Sequence, residues 1–178
     1  IILTETTAAA DEVEFSVGAT TVDTVTGFSA GGAASNDNIS ALTGTFSFLN
    51  STGNALAVTT GATMKAADAA DVDATIFTIS TNVAAGTFDD FLAGTINEAA
   101  MEAAVITALG ATGTGLGTAA EASVVLVAVD DGEDTGLFVF SAANATDDAV
   151  TAAELQIGMV LDGVADATTL VAGDFLII

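Results

Sequence analysis

A chain of 178 residues, 51% of them hydrophobic, is long enough to bury a core. Its 24 acidic residues face a single cation, Lys65, for a formal charge of -23, and His, Cys, Pro, Trp and Tyr are absent. Nucleic-acid binding needs cations to displace phosphate counterions, so it is excluded, as is adhesion to an anionic membrane.

Taken in chain order, DEVEFSVGATTVDTVTGF at 11–28 alternates apolar and polar residues, with Val13, Phe15 and Val17 on one face. This pattern predicts strand, turn and strand, with Val22 opening the second strand. SAGGAASNDN at 29–38 reads as a loop, ISALTGTFSFLN at 39–50 as a strand with Phe46 and Phe48 on one face, and STGN at 51–54 as a turn. ALAVTT at 55–60 and TIFTIST at 75–81 are strands, while GATMKAADAADVDA between them fits a short helix or an acidic loop.

The clearest helix is INEAAMEAAVITALG at 96–110, with Asn97 as N-cap, Glu98 in the first turn and Gly110 at the C-terminal stop. Its apolar stripe is Met101, Ala104, Val105 and Leu109. ATGTGLGTAA at 111–120 is a flexible connection. SVVLVAV at 123–129 and TGLFVFS at 135–141, joined by DDGED, form the strongest hairpin signal in the chain. LQIGMVLDGV and ATTLVAGDFLII supply two further strands. The expected fold is mainly β, a β-sandwich or Greek-key-like domain with one or two short helices. It spans 1–178 as a single unit, or as two sub-lobes divided at 111–120.

The chemistry expected is not catalytic. Without His, Cys or Tyr, most general bases and nucleophile activators are missing. A carboxylate pair such as Asp89 with Asp90 suits glycoside hydrolysis in principle, but the aromatic platforms of sugar sites are absent. Acids crowd instead at Asp130, Asp131, Glu133 and Asp134, in one turn between two apolar strands. Four like charges repel unless a cation sits among them, and calcium takes carboxylate and backbone oxygens. A solvated hairpin tip accounts for this turn equally well.

NATDDAVTAAEL at 144–155 matches half of an EF-hand loop, with Asp147 at the fifth position and Glu154 at the twelfth. Ala143 and Ala145 stand where oxygen ligands belong, and a capping-box helix start at Thr151 and Glu154 is the preferred reading. Calcium is the expected cofactor, because uncompensated charge destabilises a compact state. Its abundance outside cells points to an extracellular address, and the absence of disulfide staples is compatible with a secreted protein stabilised by calcium instead.

Lys65 reads as an ordinary surface residue rather than half of an isopeptide cross-link. Sequons stand at Asn38, Asn50 and Asn144. The longest apolar runs are too short to span a bilayer. IILTETTAAADE shows no signal-peptide pattern, and because Ile1 is not an ordinary translation start, a processed terminus or a piece of a longer chain is expected.

Two segments carry a resemblance. Residues 11–40 contain D-x-V-x-x-F (Asp23, Val25, Phe28), a small-residue loop, then D-x-I (Asp37, Ile39). This is similar to the strand pair that follows the calcium-binding β-roll in repeats-in-toxin proteins of bacterial type I secretion. At the C-terminus, Asp174, Phe175, Leu176, Ile177 and Ile178 place an acid before a run of hydrophobics. That resembles the terminal secretion signal of the same class, and residues from 124 onward have the texture of modules in bacterial surface-layer proteins. The defining glycine-rich nonapeptide is absent, so no β-roll ligand transfers to this chain. The resemblance implies a self-assembling extracellular subunit or module, or else a secretion and folding module of a larger enzyme or adhesin. The expected partner is a second copy of the chain, by strand addition through apolar terminal segments.

Overall fold

The computed structural model describes residues 1–3, 11–15, 22–31, 37–41, 57–60, 75–79, 83–109, 124–141 and 152–176. The elements run β1 (Glu12–Phe15), β2 (Asp23–Thr26), β3 (Asn38–Ala41), β4 (Ala57–Thr60), β5 (Thr75–Ile79), α1 (Thr87–Leu92) and α2 (Glu98–Leu109). They continue with β6 (Val124–Asp130), β7 (Thr135–Ser141), β8 (Leu155–Asp162) and β9 (Phe175–Leu176), with short 3-10 turns at Ala167–Thr169 and Ala172–Asp174. The fold is mainly β, in a six-stranded sheet of order β2-β8-β7-β6-β5-β4 and a three-stranded sheet of order β1-β3-β9.

VVLVAV makes β6 because the large sheet is covered on both faces. Leu126 and Ala128 point into a core shared with Val13, Phe15 and Ile39 of the small sheet. Val127 and Val129 point the other way, into a core shared with Phe88 of α1 and Met101, Val105 and Leu109 of α2. A strand buried on both faces reads as continuous hydrophobics rather than as alternation. The helices stand between β5 and β6, which pair in parallel. Parallel neighbours need a crossover connection, and its helices cover one face of the sheet.

Asn97 caps α2 as expected, its Oδ1 accepting the Ala100 N–H at 2.9 Å. The expected β6–β7 hairpin forms, with Asp130 opposite Thr135 and Val124 opposite Ser141. In β8 the register shifts: Leu137 faces Met159 while Phe138 faces Ile157, which leaves Gly158 as the extra residue of a bulge. Ile157 and Val160 therefore share the helix side, while Met159 and Leu161 share the small-sheet side.

Several expectations are corrected. The two strands expected within 11–28 form as β1 and β2, but they are not neighbours: β1 pairs in parallel with β3 and β2 in parallel with β8, in different sheets. No helix follows the capping box expected at Thr151 and Glu154 among the described residues. Residues 152–154 make a turn, and β8 begins at Leu155, because Leu155 and Ile157 fill the core beneath the helices. ATTLVAGDFLII is not one strand: two 3-10 turns precede the short β9. Helix α1, TFDDFL, carries no apolar period long enough to reveal itself. The sequences at 42–56, 61–74, 110–123 and 142–151, with Lys65, Phe46, Phe48, Gly110, Asn50 and Asn144, lie outside the described residues, as does Val17. Among the described residues, no helix is long and apolar enough to cross a membrane.

Candidate functional site

The DDGED turn is the densest polar structure of the described residues. Gly132 takes φ 88°, which a residue with a Cβ adopts only with strain, and the turn closes through Asp131 N–H to the Asp134 carbonyl at 3.0 Å. Asp131 Oδ1 then accepts the N–H groups of Glu133 (3.0 Å) and Asp134 (2.9 Å). Its Oδ2 accepts the N–H of Phe88 at 3.0 Å, joining the hairpin tip to α1. Asp134 Oδ1 accepts Gly163 N–H at 2.7 Å, and Asp130 Oδ2 accepts Ala167 N–H at 3.1 Å. Thr135 completes the set by donating its hydroxyl to the Val164 carbonyl at 2.6 Å. Asp130, Asp131 and Asp134 are all buried. Asp131 fastens α1 to the hairpin, and Asp130 and Asp134 fasten the segment that follows β8, through charge-assisted bonds stronger than neutral ones.

A second carboxylate pair works the same way at the small sheet. Asp37 lies just before β3 and accepts N–H groups from Asp11 (3.0 Å) and Ser29 (2.8 Å). Asp174, fully buried just before β9, accepts from Gly31 (3.0 and 3.1 Å) and Val171 (2.8 Å). Together they hold the segment leaving β2 against the edge where β3 and β9 begin.

Electrostatics at the tip are one-sided. Burial pushes the Asp130 carboxyl up, with the Ala167 N–H opposing and the Asp166 and Asp131 charges adding. Asp134 is likewise raised by burial, against the Gly163 N–H and with the charges of Asp89, Asp131 and Asp162. Asp166 moves the opposite way, held down by its bonds from the Thr168 hydroxyl (2.6 Å) and N–H (2.9 Å). Away from the tip, burial and the Glu98 charge raise Glu102 of α2 to about 7.

Of the metal-ligand candidates, Asp130, Asp131, Glu133 and Asp134 do share one turn, with Glu133 exposed. Glu154 is buried at the far end of β8, roughly 20 Å along that strand, so it belongs to no common site with them. Asp147 lies outside the described residues. Among the described residues, no group of three or more acids is disposed to hold a metal ion. Asp89 and Asp90 are exposed on α1.

In the tail, Phe175 is buried and Leu176 continues β9, which pairs in parallel with β3 (Ile39 opposite Phe175). Ile177 and Ile178 lie outside the described residues. Reading by charge density pointed to the hairpin tip but missed Asp37 as an anchor. Its signal was an isolated acid between a small-residue loop and a strand. The sequon at Asn38 falls on β3, the central strand of the small sheet. Compared with protein families, curated proteins and solved structures, the chain finds no match.

Proposed function

We propose that this chain is a non-catalytic structural domain of a bacterial extracellular assembly, a self-associating subunit or module of a surface layer, filament or matrix, stabilised by calcium. The observation that carries the reading is the use of the buried acids. Asp37, Asp130, Asp131, Asp134 and Asp174 each accept backbone N–H groups and tie segments together, instead of converging on a cleft. The core shared by both sheets supports a sandwich-like arrangement as the frame. A net charge of -23 makes a divalent counterion useful at the surface, where Glu133, Asp89, Asp162 and Asp166 surround the tip. Calorimetry tests this: millimolar calcium should raise the melting temperature over the chelated protein, and an unchanged midpoint removes calcium from the reading.

A second reading has its own observation. The acid-plus-hydrophobic tail is built into the small sheet through Asp174 and Phe175. That suits a secretion and folding module, read as a linear signal before folding and as a strand after it. Electron microscopy of the purified chain discriminates the two. Filaments or sheets support the first reading, and monodisperse particles support the second.

A further inference from the structure

We propose that Asp162–Gly163 is a site of spontaneous isoaspartate formation, and that the fold shields the chain's other Asp-Gly pair, Asp131–Gly132, from the same reaction. Asp-Gly occurs at these two places in the sequence, and Asn-Gly nowhere. A glycine after the acid offers its nitrogen for attack with no Cβ in the way. In the reaction the Gly163 nitrogen attacks Cγ of the protonated Asp162 carboxyl. An N–Cγ bond forms, a C–O bond breaks, and the hydroxyl leaves with the amide proton as water. Water then opens the five-membered imide. Opening at Cγ restores aspartate, and opening at the main-chain carbonyl carbon leaves Gly163 joined through the side chain. That product has the same mass and one more carbon in its backbone.

The two pairs share a plan and differ in its strength. Both glycines take positive φ, 88° at Gly132 and 85° at Gly163. Both glycine N–H groups are held by a carboxylate other than their neighbour's, Gly132 by Asp130 and Gly163 by Asp134 Oδ1 at 2.7 Å. The acids are what differ. Asp131 is buried, with Glu133 and Asp134 on Oδ1 and Phe88 on Oδ2. Turning its carboxyl toward the Gly132 nitrogen strips three N–H groups of their acceptor, and buried donors are costly to leave unpaired. Asp162 is half-buried at the end of β8, and its carboxylate is held by one exposed group, the Thr26 hydroxyl, at 2.7 Å. Gly163 is exposed, with open space where a Cβ would stand, so the imide forms where water can open it. The added backbone carbon then displaces the Gly163 N–H from Asp134 and undoes that tie between the hairpin and the segment after β8.

The full chain is incubated for weeks at neutral pH and body temperature, beside a sample in guanidinium chloride. Isoaspartate is read at each pair by electron-transfer fragmentation of its peptides. The denatured sample should accumulate it at both pairs. The folded protein should accumulate it at Asp162, and at least tenfold less at Asp131. Thr26→Val should raise the rate at Asp162 severalfold, while Thr26→Ser, which keeps the donor, should match the wild type, with circular dichroism confirming that both are folded. A folded protein free of isoaspartate at Asp162, beside a denatured one that forms it, overturns the site. Equal accumulation at the two acids in the folded protein overturns the shielding. A denatured sample without isoaspartate at either pair overturns both, and a Thr26→Val rate equal to the wild type overturns the restraint assigned to the hydroxyl.

Discussion

Asp131 shows how a residue can matter for a reason its sequence context does not display. One carboxylate accepts N–H groups from Phe88, Glu133 and Asp134, and an unsatisfied buried donor costs about 1–3 kcal/mol. Asp131→Ala should therefore lose about 3 kcal/mol or more in urea unfolding, while Glu133→Ala, exposed on the same turn, should stay within about 0.5 kcal/mol. Equal effects would show that charge density, not the bonds, governs the tip. Glu102 makes a pH prediction. Its folded value of about 7 lies above the ordinary 4.5, so the native state holds the proton more tightly than the unfolded chain. Its stabilising contribution is fully present below about 4.5 and is lost as pH rises to about 7. Glu102→Gln should gain on the order of 2 kcal/mol at pH 8 and nearly nothing at pH 4, as followed by denaturation at both pH values. The acids at the tip were legible as a cluster, but their partners were not, since Phe88, Gly163 and Ala167 are distant in sequence.

Elements with strong local signals formed where the chain predicted them. The α2 stripe and Asn97 cap, and the apolar runs flanking DDGED, encode their structure within a dozen residues. Asn97→Ala should cost α2 about 1 kcal/mol, measurable by thermal unfolding. Other elements depend on neighbours. Strand β8 departs from a two-residue period because Gly158 bulges, and α1 holds through tertiary contact: Phe88 is fully buried, with its ring 6.2 Å from that of Phe138. A Cβ on Gly136 would come within 2.8 Å of the Phe88 ring and 2.6 Å of the Phe138 ring. Gly136→Ala should accordingly destabilise by about 1–3 kcal/mol, and it should loosen α1 before the hairpin in hydrogen exchange. Uniform loss of protection would show that α1 does not depend on that contact.

At the scale of the molecule, charge and topology pull in different directions. A charge of -23 repels neighbouring copies, so assembly should strengthen as salt rises from about 10 mM to 150 mM, where the screening length falls from about 30 to 8 Å. Light scattering across that range checks it, and weaker association at high salt would point to an ion-paired contact instead. What the sequence determined by itself was the class: strand-rich, acidic, and without the groups that drive most catalysis. Composition and short-range periodicity carry that information, because each is a property of neighbouring residues. Only the tertiary structure decided that β1 and β2 part into different sheets, that β3 joins β9 across most of the chain length, and that Asp37 and Asp174 meet one loop. Such pairings are settled by which faces can be buried together and which N–H groups need an acceptor, and no local pattern records either.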